Sequence, residues 1–450
     1  MFNNLREFFN SGSTLPYDFR LDKLKKLKVN LKKFENKLLN SLKMDLNKPE
    51  IEFYSGEIGF VYNEIDFAIK NLQKWIKKNY VRSSLSSFPS KSYTLSVPRG
   101  VVLIISPWNY PLQLVFVPLI GSIAAGNCTV IKPSEYTPNF NTLLSEILAI
   151  TFDPNYITLQ EGDGAIVIPK MLQEFDFNYV FFTGSISVGK SIAKLCANNL
   201  IPYSLELGGK SPAIVDSEVD LDVAVKRIAW GKFFNAGQTC VAPDYVIIDS
   251  KIKHIFIEKL IKVLDKFYIN LDQDLARIIN KKRYELLGEY LKSQTVIYGG
   301  GMCSEKLQIY PTLIDEPNLN DKIMQEEIFG PILPIISYID INQLYSILEK
   351  NPNPLSLYVF STNKTFNDKI INQVQFGGAC INTCLLHLSN SRLPFGGIML
   401  SGQGSYHGKY SFEIFSHKKS IVDMSTKLDV FLKYPPYSKF KLYFIKKIFK

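Results

Sequence analysis

The run Tyr179-Val180-Phe181-Phe182-Thr183-Gly184-Ser185-Ile186-Ser187-Val188-Gly189-Lys190-Ser191 reads as a short apolar strand, a tight turn and the start of a helix. From Gly184 onward it also spells the phosphate-loop pattern Gly-x4-Gly-Lys-Ser. Ala213-Ile214-Val215-Asp216 can pose as the acidic strand that usually accompanies that loop. Two architectures are therefore open: a phosphate-loop nucleotidase, or another doubly wound sheet that uses the same letters differently. Three observations count against the nucleotidase. Only one glycine separates strand from helix, so a deep nest of backbone N–H groups is poorly provided. The run is the fourth strand of its series, not the first. The pattern also leaves Asn109, Cys240 and Glu327 without a role.

Outward from this run, strand and helix alternate. Val101–Ile105, Cys128–Ile131, Tyr156–Leu159, Tyr179–Phe182 and Ser204–Leu207 are short apolar runs. Helical stretches are predicted over Leu112–Ala125, from about Asn139, and over Ile186–Asn198. Alternation of this kind implies parallel βαβ units with helices on both faces. Such sheets bind ligands beyond the carboxyl ends of their strands. Asn109, Lys132, Glu135, Ser185 and Glu206 all fall at or just after those ends. A second α/β rhythm, with Val246–Ile248 as a strand and Ile252–Phe267 as a helix, runs from about Ala213 to Phe395. Before the first sheet, residues 15–79 carry apolar residues at helical spacing among lysines, and Ser92–Val97 alternates like an exposed strand.

The chain has 450 residues, 46% of them hydrophobic, enough for two or three domains. The net charge of +10 comes largely from Lys23–Lys37 and the last eighteen residues, away from the candidate site. The first block reads as a solvated helix face. Six cysteines show no framework spacing. Met1–Phe9 lacks the apolar core of a signal peptide, and no run is apolar for the roughly 18 residues of a spanning helix. A soluble protein of the reducing cytoplasm is expected.

Two runs carry the chemistry. Phe234-Asn235-Ala236-Gly237-Gln238-Thr239-Cys240 offers a thiol in a small, polar setting. Leu205-Glu206-Leu207-Gly208-Gly209-Lys210-Ser211-Pro212 offers a carboxylate between apolar residues at a strand end. A thiol that forms an acyl intermediate needs a base to activate the water that removes it. A buried structural thiol and a satisfied carboxylate are the plain alternatives. Asn109, within Ser106-Pro107-Trp108-Asn109-Tyr110-Pro111, suits either a rigid turn or an amide donor to a developing oxyanion. Lys132 and Glu135 suit an exposed charged turn or a ribose site. The loop Glu326–Pro331 reads by itself as surface. Cys380, Cys384 and His387 lack an evident fourth ligand and read as packing residues; no metal site is expected.

The cysteine and glutamate runs resemble the aldehyde dehydrogenase superfamily almost letter for letter. Leu393-Pro394-Phe395-Gly396-Gly397, Ser401–Phe412, Cys240–Tyr245 and Tyr434–Tyr437 resemble its class 3, fatty- and aromatic-aldehyde branch. The likeness runs from about Tyr17 to Tyr437. It implies an α/β fold with a cofactor domain over 1–82 and 99–207, a catalytic domain over 208–408, and a dimerisation arm over 83–98 and 409–437. Residues 438–450 form a basic amphipathic tail.

The resemblance makes Cys240 the nucleophile, Glu206 the base and Asn109 the oxyanion donor, with the Cys240 N–H as second donor. It assigns Trp108, Lys132, Glu135, Gly184, Ser185, Glu327 and Phe329 to an NAD cofactor, with NADP also accommodated. Phe182–Ser185 becomes the pyrophosphate turn, and the absence of Gly-x-Gly-x-x-Gly fits. The implied reaction is oxidation of a medium- or long-chain aliphatic or aromatic aldehyde to the acid through a thiohemiacetal and a thioester, in a homodimer. A CoA-acylating dehydrogenase is the near alternative, which Glu206 disfavours. An idle binding relative is the distant one, which the intact Cys240, Glu206 and Asn109 disfavour. One departure is Ile398-Met399-Leu400, bulkier than the family's small residues after Gly397. The lysine- and aromatic-rich tail suits either weak contact with an anionic membrane or packing on the protein.

Overall fold

A computed structural model describes residues 2–448. Its first sheet has six strands in the order Gly402–Gln403, Tyr203–Glu206, Tyr179–Thr183, Val101–Ile105, Cys128–Lys132, Ile157–Leu159. All neighbours are parallel except the Gly402–Gln403 edge, which is antiparallel. Chain order runs outward in one direction from Val101–Ile105, then returns to its other side with Tyr179–Thr183. The topological switch point, where doubly wound sheets open a crevice, therefore lies between the ends of those two strands. Both strands are wholly buried, which explains why they read as unbroken apolar runs without alternation.

The helix Pro111–Ala125 is buried at every residue, so its sequence is apolar all round. Pro111 opens it, where no intrahelical N–H is missed. Asn109 and Tyr110 are thus fixed to one of the most enclosed elements of the fold.

The second sheet has seven strands, in the order Val296–Tyr298, Thr312–Asp315, Ile332–Tyr338, Tyr245–Asp249, Pro212–Val215, Ser356–Phe360, Gly378–Ile381. Only the Val296–Tyr298 edge is antiparallel. Pro212–Val215, the supposed acidic strand of a nucleotidase, lies here and not beside Tyr179–Thr183. A third sheet joins Asn79–Val81, Ser90–Pro98 and Ser416–Met424 in antiparallel pairs.

Two segments cross the expected divisions. Asn79–Val81 joins the third sheet from within the stretch 1–82, and Gly402–Gln403 joins the first sheet from within 208–408. Both are too short to register as strands by alternation. The helix Lys439–Ile448 ends the described chain with Phe440, Leu442 and Tyr443 exposed. Phe449 and Lys450 of the tail lie outside the described residues.

Candidate active site

Cys240 follows a loop held in a conformation that side chains resist. Asn235, Ala236 and Gly237 all have left-handed backbone angles, with φ of 53°, 52° and 72°. Two consecutive non-glycine residues there store strain and need neighbours to hold them. The Asn235 N–H donates to Glu52 Oε2 at 2.9 Å, and its side-chain amide donates to the carbonyls of Asn109 and Gln238 at 3.0 and 3.1 Å. At Gly237 an added Cβ would sit 2.3 Å from the Gly330 carbonyl oxygen, so only glycine fits.

Asn109 is 3% exposed and donates from Nδ2 to the Gln238 carbonyl at 3.0 Å. One amide hydrogen is used in this bond and one remains. The Tyr110 hydroxyl bonds Thr239 Oγ1 at 2.6 Å, tying the Asn109 turn to the residue before Cys240. Glu206 ends its strand 2% exposed, with both carboxylate oxygens lacking a hydrogen-bond partner among the described residues. An orphan buried carboxyl is costly and is rarely kept without a use. Burial raises its pKa well above the usual carboxylate value. Burial first, and then Glu327 and Glu206, also push the Cys240 thiol up.

Above Cys240 a cavity of about 160 Å³ is walled by Phe60, Tyr110, Trp230, Phe234, Phe395 and Tyr406. Tyr406 is 1% exposed and lies close enough to feel the charges of Glu206 and Cys240. Sequence reasoning quoted Tyr406 only as part of a family block; nothing local marks it as lying beside the nucleophile. The bulky Ile398–Leu400 segment does not line this cavity. Met399 and Leu400 are exposed, at 67% and 49%.

Across the switch point lies a second group of side chains. Lys132 is 2% exposed, in contrast to an exposed charged turn. Its Nζ donates to the Pro133 carbonyl at 2.6 Å and to Glu135 Oε2 at 3.2 Å. Ser185 caps the helix Ile186–Asn198 by accepting from the Val188 N–H at 3.4 Å. That helix begins directly after Ser185, so the Gly184–Lys190 segment forms a helical turn and no phosphate-loop nest; Lys190 is exposed. Trp108 and Phe329 pack edge to face, 5.5 Å apart, and Phe329 has φ 47°. Glu327 sits against Gly208, where an added Cβ would lie 2.1 Å from Glu327 Oε2. Its pKa is raised to about 8, first by burial and then by Asp244. Arg283 holds the carbonyls of Glu327 and Ile328, and Asp244 accepts from the Ile328 N–H at 3.2 Å.

His387 is engaged at both ring nitrogens, with Ser356 Oγ at 3.0 Å and Cys380 Sγ at 3.2 Å. No group of three potential metal ligands occurs among the described residues.

A parallel sheet with a switch-point crevice, an apolar cavity that reaches Cys240, and a buried orphan carboxyl and an amide donor near that thiol fit an aldehyde-oxidising dehydrogenase. The chain belongs to the aldehyde dehydrogenase family, which matches residues 3–421. It is an enzyme that oxidises an aldehyde to a carboxylic acid with NAD or NADP. The 4,4'-diaponeurosporen-aldehyde dehydrogenase of Staphylococcus aureus is 46% identical over 100% of this chain and 98% of its own length. A canine protein named aldehyde dehydrogenase, dimeric NADP-preferring, is 40% identical over 96% of each chain. A solved structure, described as the substrate-bound state of Staphylococcus aureus AldH, superposes with a TM-score of 0.97 at 45% identity. It covers 100% of this chain and 98% of that one. The family expected from the motifs is the family found.

Proposed function

We propose that Cys240 is the nucleophile and that the substrate is a long-chain aliphatic or aromatic aldehyde. One observation carries this: an apolar cavity reaches Cys240, and Glu206, a buried carboxyl with no partner among the described residues, lies near enough to act on that thiol. The Cys240 thiol gives its proton to solvent as its sulfur bonds to the aldehyde carbon and the carbonyl π pair moves onto oxygen. The Asn109 amide and the Cys240 N–H donate to the oxygen as it gains charge. A nicotinamide dinucleotide, when bound, accepts the hydride that converts the thiohemiacetal to a thioester. Glu206 then takes a proton from water, which attacks the thioester and releases the acid. An acceptor such as CoA would need no such base. The cavity's aromatic walls suit an elongated or flat apolar body, as the name of the Staphylococcus aureus relative also suggests for that protein.

The residues across the switch point fit a dinucleotide. The N-terminus of Ile186–Asn198, with Gly184 and Ser185, suits a pyrophosphate. Lys132 and Glu135 suit the adenosine ribose, Glu327 the nicotinamide ribose, and Trp108 and Phe329 the ring. Gly164 packs against that pair: an added Cβ would lie in van der Waals contact, 3.7 Å from Glu135 Oε2 and 3.9 Å from Lys132 Nζ. The Glu135 carboxylate repels a 2′-phosphate, so NAD is the preferred cofactor. Its side chain is 38% exposed and Lys132 only 2%, so Glu135 can swing aside and leave the ammonium facing NADP.

We assign a cofactor domain to residues 1–82 and 99–207, a catalytic domain to 208–408, and a dimerisation arm to 83–98 and 409–437. The outer edge of Ser416–Met424 is unpaired, which supports a homodimer formed through the arm. Six unbridged cysteines, one of them the nucleophile, suit a reducing cytoplasm. The tail is assigned weak contact with anionic membranes.

The test is a panel of aldehydes of increasing chain length and aromaticity, assayed by NADH absorbance with each cofactor. We expect kcat/KM to rise with apolar length and to favour NAD. Cys240→Ser should abolish turnover while NAD still binds. Turnover near normal in that variant would end the mechanism.

A further inference from the structure

Lys48 and Glu57 form an ion pair at 2.5 Å with both side chains fully buried. Burying two charges costs more than their attraction returns in most settings, so such a pair is weak evidence for stability. Its remaining contacts show where it acts. Lys48 Nζ donates to the Asn109 carbonyl at 2.9 Å and sits 4.2 Å from the Tyr110 ring centroid. Glu57 Oε2 accepts from the N–H groups of Leu112 and Gln113, both at 3.0 Å. Those are orphan donors of the first turn of Pro111–Ala125. One ion pair therefore clamps the Asn109 peptide on one side and the helix it leads into on the other.

The backbone supplies the reason that Glu57 can reach. Tyr54–Ile58 is a π-helical turn inside an otherwise α-helical stretch. The extra residue of such a turn re-aims side chains, and these turns recur at functional sites. Gly56 lets the turn pack close: an added Cβ would lie 3.1 Å from the Phe234 ring and 3.2 Å from the Tyr110 ring. Three residues before the turn's Ser55, Glu52 holds the Asn235 N–H of the nucleophile loop. The same short segment thus grips both sides of the reacting centre.

We propose that Lys48 and Glu57 are positioning residues for aldehyde oxidation, which aim the free hydrogen of the Asn109 amide at the oxygen of the carbonyl carried by Cys240. The proposal rests on the reading of Asn109 as an oxyanion donor. It concerns acylation, not cofactor binding or water activation. A displacement of about 1 Å in such a group costs on the order of 10²-fold in rate.

The experiment compares Lys48→Met and Lys48→Met/Glu57→Gln with the unaltered chain; the second variant removes both charges of the pair and guards against simple unfolding. Three readouts are taken: the rate of the first-turnover NADH burst, alkylation of Cys240 by iodoacetamide followed by peptide mapping, and a double-mutant cycle with Asn109→Ala. Alkylation is a displacement at saturated carbon and develops no oxyanion. We expect the burst to slow by roughly 10–100-fold, Cys240 alkylation to stay within about twofold, and Lys48→Met to add little once Asn109 is alanine. An unchanged burst, alkylation that falls in parallel, or losses that multiply in the cycle would each overturn the proposal. If Asn109→Ala acylates at the normal rate, the oxyanion reading itself fails and takes this proposal with it. If Asn109→Ala is slow and the Lys48 variants are not, only the positioning role fails.

Discussion

At the residue scale, Glu206 is the most informative side chain, because its burial without a partner has a measurable consequence. With its pKa raised by burial, the carboxyl reaches its basic form at a higher pH than an ordinary carboxylate, and that form grows as pH rises. Steady-state turnover limited by thioester hydrolysis should therefore climb from acid through neutral pH. Glu206→Gln should remove that climb and slow the steady state by about 10²–10⁴-fold, leaving a fast NADH burst. Rapid mixing across pH checks both; a variant with no burst despite normal aldehyde binding would assign Glu206 to acylation instead. Cys240, Glu206 and Asn109 could be singled out because their runs resemble the family's motifs; without the resemblance, Asn109 suited a rigid turn equally. Lys48 and Glu57 were not readable. A lysine and a glutamate among many in helical sequence look like a solvated face, and only the folded chain shows that these two are enclosed.

At the element scale, the Gly184–Ser191 segment shows how one spelling can belong to two structures. The helix starts at once after Ser185, Gly189 is buried against Leu207, and Lys190 faces solvent. Lys190→Ala should leave aldehyde oxidation within about twofold, since an exposed surface lysine contributes little. Calorimetric titration of the full chain with ATP·Mg should show no binding. Tight binding that vanishes in Lys190→Ala would return the phosphate-loop reading. The strands of the first sheet were legible as apolar runs at regular spacing. Those of the second sheet were less so. Ile332–Tyr338 lies between two parallel neighbours yet contains Pro334, a residue that argues against a central strand when only the sequence is in hand. Gly402–Gln403 is two residues long, below any periodicity.

At the scale of the whole molecule, the tail separates from the rest. No helix among the described residues is long and apolar enough to cross a membrane. Lys439–Ile448 instead presents Phe440, Tyr443 and Phe444 to solvent at 62%, 55% and 39%, beside Lys441, Lys446 and Lys447. On its own chain this face is uncovered, which suits contact with an anionic membrane or with the partner subunit. Each lysine near an anionic surface contributes about 1 kcal/mol, with insertion of the aromatic side chains adding to it. Full-length protein should sediment with anionic liposomes at low salt and be released at high salt, and a chain ending at Asp429 should stay in solution. Equal behaviour of the two forms would leave the tail to the partner subunit or to no partner. The strand Ser90–Pro98 was legible in Ser92–Val97, but its mate Ser416–Met424 was not, because pairing between segments so distant in sequence leaves no local trace.

The antiparallel strand Gly402–Gln403 closes the first sheet directly beside Glu206. The ribosome delivers the chain from its N-terminus, so Tyr203–Glu206 is made well before the edge that covers it. Until residues 402 and 403 emerge, Tyr203–Glu206 keeps one row of backbone groups open, the kind of edge that invites foreign strands. Closure of the strand that ends at Glu206 thereby waits on a segment made much later, and a product cut short before residue 402 is left with a sticky flank.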